Sequence, residues 1–179
     1  MPIRQDPRAV FANALKELSL KKTIDAITVQ EIADLSGYSR KNFYYYFQDK
    51  YDLAEWSFNY EGDLLIKKNI HESWSFILSL FLKDIKQYKK YYLDLFSDKN
   101  SFSMINTYCQ FIIRAMTDYM LHKDHAAPVD NMEFFFTFVA YGNTRVVKDW
   151  LSKGCITAPE ELAKKLVSAF PQALLLYFD

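Results

Sequence analysis

The chain has 179 residues, of which 50% are hydrophobic and 17% aromatic, and its 22 basic and 22 acidic side chains cancel to a formal charge of zero. This balance excludes a generic basic coat for nucleic acids, and the presence of only 4 Gly and 5 Pro argues against a loop-rich β sandwich or a disordered chain. No apolar run predicts a signal peptide or a membrane span, and the two cysteines suit reduced thiols, so we expect a cytoplasmic protein.

The first two predicted helices begin at capping residues. Asp6 can cap the first helix, and Pro7 suits its first turn, where the missing N–H costs no hydrogen bond. Thr28 and Glu31 have the spacing of a capping box for the second helix. Gly37 can adopt the left-handed conformation that ends such a helix. We therefore predict a short second helix that closes in a tight turn.

A third helix follows this turn directly. Ser39 can cap it, and it should run to about Tyr45. Two short helices joined in this way form the helix-turn-helix pattern, in which the second helix enters the major groove of DNA. Asp49 can cap a fourth helix. We expect a helix-turn-helix DNA-binding domain over residues 1–48 and a helical effector-binding and dimerisation domain over residues 49–179.

The rest of the chain is also predicted to be helical. Thr157 and Glu160 have capping-box spacing, Pro159 suits the first turn of that helix, and Pro171 should kink or stop it. The predicted segments are 73–97 with a break near 88–91, 101–122, 130–153 and 158–178. The fold prediction is all-α, with an N-terminal three-helix domain followed by a helical bundle.

The third helix carries side chains suited to a DNA duplex. Arg40 can fork onto guanine O6 and N7, and Asn42 can pair bidentately with adenine. Lys41 and Lys50 are better suited to phosphates, which set register without reading sequence. Taken alone, the aromatic run 43–47 is more often core and solvated surface than a reading head. The predicted DNA-binding residues are Thr28, Tyr38, Ser39, Arg40, Lys41, Asn42, Tyr44, Tyr45 and Lys50.

The charge of this segment is modest. From Tyr38 to Lys50 there are three basic residues and one acidic residue, a local excess of two positive charges on a neutral chain. Specific binding would therefore need two copies of the segment. Phe43 and Phe47 fall on the inward side of the helix and should pack in the core.

A set of residues at fixed spacing links this segment to a known family. They are Ile32, Ala33, Ser36, Gly37, Ser39, Phe43, Tyr44, Phe47, Lys50 and Leu53. In this order they resemble the DNA-binding domain of the TetR family of bacterial one-component regulators, over residues 8–60 or so. The resemblance implies that Tyr44 donates its hydroxyl to a backbone phosphate and that Lys50 binds another.

The sequence departs from the family pattern on or beside the reading surface, at Tyr38, Lys41 and Tyr46. Because of these departures, the operator sequence cannot be inferred by analogy with other members of the family. Residues 52–58, Trp150 and the run 159–163 resemble a subgroup around dihydroxyacetone kinase regulators.

Two apolar segments suggest that the protein assembles with a second copy. Residues 134–141 carry no charge and are apolar around most of a helix, so one side should face its own bundle and another a partner subunit. The closing helix has a similar stripe, formed by Leu162, Leu166, Val167, Ala169, Phe170, Ala173 and Leu174. By the family resemblance, the last two helices form a four-helix homodimer interface, which places two recognition helices about 34–36 Å apart.

The resemblance also implies a ligand pocket between helices. Its candidate lining residues are Trp74, Phe81, Tyr108, Phe111, Phe138, Tyr141 and Asn143. For each of them, ordinary core packing is the alternative. Arg114 should share a solvated face with Gln110 and Asp118. His122 and His125 lack a convincing third ligand, so neither a metal site nor a cofactor is expected.

These features predict a sequence-specific regulator that binds a double-stranded DNA operator, a dimeric repressor released by an unknown small-molecule effector. The alternative is a regulator, including an activator, that is controlled by a protein partner while its bundle stays closed to small molecules. The pair Tyr91 and Tyr92, expected to be exposed, motivates that alternative. No nucleotide loop, nucleophile elbow or paired-carboxylate motif supports an enzyme, and no membrane partner is expected.

Overall fold

The computed structural model describes residues 6–97, 104–123 and 132–178. In these ranges the chain forms ten α-helices, one short 3-10 helix and no strand, so the all-α prediction is confirmed. The α-helices are α1 (Pro7–Ser19), α2 (Val29–Ser36), α3 (Arg40–Tyr46), α4 (Lys50–Asn69), α5 (Trp74–Gln87), α6 (Lys89–Leu95), α7 (Met104–His122), α8 (Met132–Ser152), α9 (Pro159–Ser168) and α10 (Gln172–Phe178). The 3-10 helix is Ile24–Ala26.

The first and fourth helices begin at their predicted caps. The Asp6 carboxylate accepts the backbone N–H of Arg8 at 2.9 Å, and the Asp49 carboxylate accepts that of Tyr51 at 2.7 Å. Each carboxylate also lies at the positive end of a helix dipole. Pro171 separates α9 from α10, so the predicted stop is confirmed.

The predicted capping box at the start of α9 is wrong. The N-cap is Ala158, which makes no side-chain cap bond, because the helix begins one residue later than the box requires. Glu160 is then the second helical residue and pairs with Lys83 at 2.8 Å. The carbonyl of Thr157 instead accepts the indole N–H of Trp150 at 3.0 Å.

Helices α1, α2 and α3, here called the head, share one core. Phe11 and Phe43 are fully buried and their ring centroids lie 5.3 Å apart. This core is completed by Ile32 of α2, by Phe47 at the end of α3 and by Leu53 of α4. The inward placement of Phe43 and Phe47 is therefore confirmed. The 20 residues of α4 extend about 30 Å, so this helix continues from the head into the remaining helices.

The remaining helices form a bundle in which α5 packs against α9 and α7 packs against α8. Aromatic rings fill part of its core, where the Trp74 ring centroid lies 5.2 Å from that of Tyr119 and 5.4 Å from that of Phe178. The predicted break in the fifth helix is confirmed at Tyr88, where ψ reaches 37° and α5 ends. Within the described ranges, no helix has the length and apolar character needed to cross a membrane.

A partly buried ion network joins the head to the bundle. Lys16 of α1 is 6% exposed and donates to the carboxylates of Glu61 on α4 and Asp84 on α5, the latter at 3.2 Å. Tyr92 also donates to Asp84, at 2.6 Å, and Tyr91 is buried beside it, because α6 packs back onto α1. The prediction that both tyrosines are exposed is therefore wrong. Burial alone would lower the pKa of Lys16, but the two carboxylates raise it above its ordinary value, which keeps the ammonium charged.

Lys16→Met is expected to lower the free energy of unfolding by about 2 kcal/mol, because it leaves two carboxylates without their cation. This is less than the loss for a fully buried pair, since the Glu61 and Asp84 side chains are 35% and 33% exposed. Urea denaturation measures the effect. Lys165→Met, which removes the exposed pair with Glu161, is the matched control and should cost about 0.5 kcal/mol or less. Equal losses in the two variants would contradict a stabilising role for the network.

Arg114 lies on an exposed face, but its partner differs from the predicted one. It donates to Asp63 at 2.8 Å and to Asn59 at 3.3 Å, both on α4, rather than to Asp118 on its own helix. The reason is that α7 packs beside α4, which offers an acceptor at the tip of the long side chain. Arg114 therefore ties two helices together at the surface.

Candidate nucleic-acid interface

Local hydrogen bonds build the helix-turn-helix unit as predicted. The Thr28 hydroxyl accepts the N–H of Glu31 at 3.2 Å, and the Glu31 carboxylate accepts the N–H of Thr28 at 2.9 Å, which completes the capping box. Gly37 ends α2 with φ of 72°, a conformation that residues with a Cβ rarely adopt. Ser39 caps α3 by accepting the N–H of Asn42 at 3.1 Å. These bonds fix where α3 begins and therefore which of its residues point outward.

Helix α3 buries Phe43 and presents most of its other side chains to solvent. The half-buried or exposed residues around it are Tyr38, Ser39, Arg40, Lys41, Asn42, Tyr44 and Tyr45. All of them except Arg40 line one open concave surface together with Gly37. Six of the nine predicted DNA-binding residues thus line this one surface.

Arg40 lies beside this surface and contacts Tyr44. The Arg40 guanidinium lies 5.5 Å from the Tyr44 ring centroid and donates to its hydroxyl at 3.3 Å. The hydroxyl keeps its own proton for donation to another group. Tyr46, which sequence reasoning did not assign to DNA, is also exposed and packs edge-on against Tyr45 at 4.8 Å. The only sequence feature that pointed to Tyr46 was the aromatic run 43–47, and such a run does not show which of its rings face inward and which face outward.

Lys50 and Thr28, the other two predicted contacts, hold the head together. The Lys50 ammonium donates to the carbonyls of Asp25 and Ile27, each at 2.8 Å. Burial lowers its pKa below the ordinary lysine value, and two of its three N–H donors are used. The Thr28 hydroxyl donates to Glu31 at 2.9 Å. A phosphate contact from Lys50 would therefore use its one remaining N–H.

The capping box is reinforced by an ion pair that the sequence did not predict. Lys22 donates to the Glu31 carboxylate, and this bond, with those from Thr28, lowers the pKa of Glu31 to about 2. Lys22 lies in the irregular segment before the 3-10 helix, so no helical periodicity connects it to Glu31. The pair fixes the segment that leads into α2.

Glu31→Gln is expected to lower stability at neutral pH and to have no effect at strongly acidic pH. Because the folded-state pKa of Glu31 is depressed to about 2, its contribution is complete above the ordinary carboxyl pKa and is lost as pH falls through about 2. The difference between the urea midpoints of the two proteins, measured from pH 7 to pH 2, should therefore shrink as the pH falls toward 2. Glu17→Gln, at an exposed site on α1, serves as the control. A constant difference across this range would contradict the assigned ion pair.

Four of the predicted pocket residues meet around a small cavity between α5 and α7. Its volume is about 20 Å³, and its lining residues are Trp74, Ile77, Leu78, Phe81, Tyr108, Phe111, Ile112 and Ala115. The indole N–H of Trp74 is buried and has no hydrogen-bond partner in the described structure. Gly62 of α4 lies against the Phe111 ring so closely that an added Cβ would be 2.4 Å from its Cζ. The cavity is thus small and apolar.

Two models of known protein families match the chain. Residues 13–55 match a model described as bacterial regulatory proteins, tetR family, and residues 72–172 match one described as transcriptional regulator C-terminal region. The second match covers more than half of the 179 residues. The chain belongs to the TetR family. Its head is accordingly the DNA-binding domain of a transcription regulator.

Two solved structures share the fold of this TetR-family chain. One is the dihydroxyacetone kinase operon activator DhaS, with a TM-score of 0.73, 20% identity, and coverage of 97% of this chain and 98% of that chain. The other is the fatty acid degradation regulator FadR from Bacillus halodurans, with a TM-score of 0.55, 14% identity, and coverage of 95% and 96%. The comparison with curated protein sequences found no match. At these identities both likenesses concern the fold, so the subgroup resemblance stays a prediction.

Three other pocket candidates of this TetR-family protein lie away from the cavity. Phe138 and Tyr141 are 63% and 52% exposed on the outer face of α8, so their assignment to a pocket within the protomer is wrong. Asn143 is buried on the same helix but does not line the cavity. The reason is that α8 turns Phe136, Val139 and Ala140 into the bundle, and at helical spacing this places Phe138 and Tyr141 on the opposite side of the helix.

The predicted histidine pair falls partly outside the described residues, which do not include His125. His122 instead meets His71, with the two ring nitrogens 3.4 Å apart. Across the described ranges, no cluster of three potential metal ligands is found.

Proposed function

We propose that this TetR-family regulator binds its operator as a dimer, with Arg40 and Asn42 reading bases and Lys41, Tyr44 and Lys50 holding phosphates. The observation that carries the proposal is the outward face of α3, where Arg40, Lys41, Asn42 and Tyr44 lie on a helix that Ser39 caps and Phe43 anchors to the core. Arginine and asparagine on such a helix match the donor and acceptor patterns of guanine and adenine.

The test is binding of the full chain to its own promoter region, measured by fluorescence anisotropy at several salt concentrations. Two lysines per head make four in a dimer, so the logarithm of the binding constant should fall with the logarithm of salt with a slope of about −4. A scrambled duplex is the control and should bind much more weakly. Equal affinity for the two duplexes would exclude a sequence-specific regulator.

The exposed face of α8 supports the dimer. Phe134, Phe138 and Tyr141 are 66%, 63% and 52% exposed and recur at helical spacing. An apolar stripe of this kind, on a long helix that also packs inward, marks an interaction surface. Much of the predicted stripe on the closing helix is used inside the protomer, where Leu162, Leu166, Val167, Phe170 and Leu174 are buried. Ala169, Ala173 and Leu176 remain exposed and would supply the partner helix.

For the effector we propose a small apolar molecule with one hydrogen-bond acceptor, whose binding widens the cavity and releases the operator. The unpaired N–H of Trp74 supports it, because a buried donor without a partner costs free energy that an acceptor would recover. Cyclohexanone at millimolar concentration should raise the melting temperature, whereas cyclohexane, which has no acceptor, should raise it less. Trp74→Phe should abolish the difference. Identical shifts in wild type and variant would contradict this role.

A second candidate is a regulator that a protein partner controls, acting as repressor or activator. The observation that favours it is the cavity volume of about 20 Å³, which is the space of roughly one water molecule. The solved structure of DhaS, named as an operon activator, shows that activators share this fold. Measurement of promoter output in cells with and without the gene separates activation from repression.

A further inference from the structure

We propose that the surface where α6 meets the end of α1 docks an acidic segment of a partner protein. This α1–α6 surface comprises Leu20, Lys21, Lys86, Lys89, Lys90 and Leu93. The inference rests on the second candidate function and names the site and the chemistry of the partner. It does not require the α3 side chains or the α8 face.

The α1–α6 surface exposes apolar side chains to solvent as well as charged ones. Leu20 at the end of α1 is 56% exposed and Leu93 on α6 is 36% exposed, and both line one groove of about 400 Å³. At its border, the Lys89 ammonium lies 3.6 Å from the place that a Cβ on Gly154 would occupy. Two residues further along that turn, Ile156 is 86% exposed. Apolar side chains gathered beside charged ones are typical of protein interfaces.

The lysines of the surface lack acidic partners. Among the described residues, no carboxylate lies within ion-pair distance of Lys21, Lys86, Lys89 or Lys90, whereas Lys16, Lys22 and Lys83 are all paired. The nearby carboxylates are engaged elsewhere, since Asp84 binds Lys16 and Asp94 accepts the backbone N–H of Ile24 at 3.0 Å. Even with Glu17 of α1 and Asp94 of α6 counted, four lysines and two carboxylates leave two net positive charges on a neutral chain.

This combination selects the kind of partner. A phosphate backbone would be complementary to the lysines but would leave the two leucines exposed to water. An acidic protein segment with apolar anchors is complementary to both, with its carboxylates over the lysines and its anchors in the groove. The lysines would steer the encounter and the leucines would supply buried area.

The position of the surface gives docking a consequence for DNA binding. It spans the head and the bundle, which are joined there by the bond from the Lys90 ammonium to the carbonyl of Lys21 at 3.3 Å and by the Asp94 contact to the 3-10 helix. A partner that contacts α1 and α6 together would favour one orientation of the head over others. Such a bias changes the spacing of the two heads in a dimer.

The test is photo-crosslinking in the host cell, with the full chain carrying Leu93→p-benzoylphenylalanine. We expect a covalent adduct whose crosslinked peptide is acidic, and an at least tenfold lower yield when Lys86→Glu and Lys89→Glu are added. The matched control is Lys67→Glu with Lys68→Glu on exposed α4 positions, which should leave the yield unchanged. The same crosslinker at Leu64, 50% exposed on α4, controls for position.

Several outcomes would overturn the inference. These are no adduct, an adduct with DNA or with a second copy, or a yield that charge reversal does not change. Operator affinity measured in vitro separates this result from the proposed function, because the Lys86→Glu, Lys89→Glu variant should bind the promoter duplex as the wild type does. A tenfold loss of that affinity would instead place the lysines on the DNA.

Discussion

Simultaneous replacement of Arg40 and Asn42 by alanine is expected to reduce affinity for the operator by roughly 30-fold to 10⁴-fold in each half-site. A bidentate contact to a base contributes about 1–3 kcal/mol of discrimination, and two such contacts would be lost. Both side chains lie on the outer surface of α3 and neither belongs to the core, so the melting temperature should stay within a few degrees of the wild type. Anisotropy titration with promoter and scrambled duplexes measures the loss.

The loss of affinity should be specific to the promoter duplex. The double variant should bind the scrambled duplex about as well as the wild type, because phosphate contacts from Lys41 and Lys50 are kept. Lys41→Ala is the matched control on the same helix, and it should weaken both duplexes equally and reduce the salt slope. If the double variant instead loses affinity for both duplexes to the same extent, Arg40 and Asn42 contact the DNA backbone and other residues read the bases.

Phe138→Glu is expected to convert the proposed dimer to monomers and to lower operator affinity by about 100-fold or more. The side chain is 63% exposed in the protomer, so a charge costs little there, but burial of an unpaired carboxylate in the dimer interface costs several kcal/mol. Loss of the second head removes half of the phosphate and base contacts. Sedimentation velocity gives the oligomeric state, and circular dichroism should show unchanged helix content.

The control for this substitution is Leu121→Glu. Leu121 is 52% exposed near the end of α7, so the same kind of charge enters at a similar exposure away from the α8 face. It should leave both the dimer and operator binding intact. A Phe138→Glu protein that remains dimeric would place the subunit interface on another surface.

Helix ends were the features most open to prediction. The caps at Asp6, Thr28, Ser39 and Asp49 each bond a backbone N–H two or three residues away, so their geometry is set within one turn of chain. The failure at Thr157 has a different origin. A bond from the distant Trp150 ring engages its carbonyl, and the helix starts after Ala158 instead.

The candidate sites depended more on contacts that periodicity does not show. The apolar pattern of 134–141 indicated a helix with two covered sides, but it could not say that Phe136 faces inward while Phe138 and Tyr141 face outward. That choice depends on where α8 crosses its neighbours. The predicted pocket residues Trp74, Phe81, Tyr108 and Phe111 meet at one cavity because α5 and α7 bring them together, and its small size follows from how aromatic and aliphatic side chains of both helices pack there.

Local sequence therefore determined the helices, the helix-turn-helix head and the family resemblance. The features that predict them are helix caps, a left-handed glycine and inward-facing rings, and each acts over only a few residues. Tertiary structure decided the burial of Tyr91 and Tyr92, the carbonyl bonds of Lys50 and the Lys16 network. The Lys16 bonds join residues 45 and 68 positions apart, and those of Lys50 span 25 and 23 positions. Partners so distant are chosen by how whole helices pack, because a charge that is removed from water binds whichever opposite group the fold brings within reach.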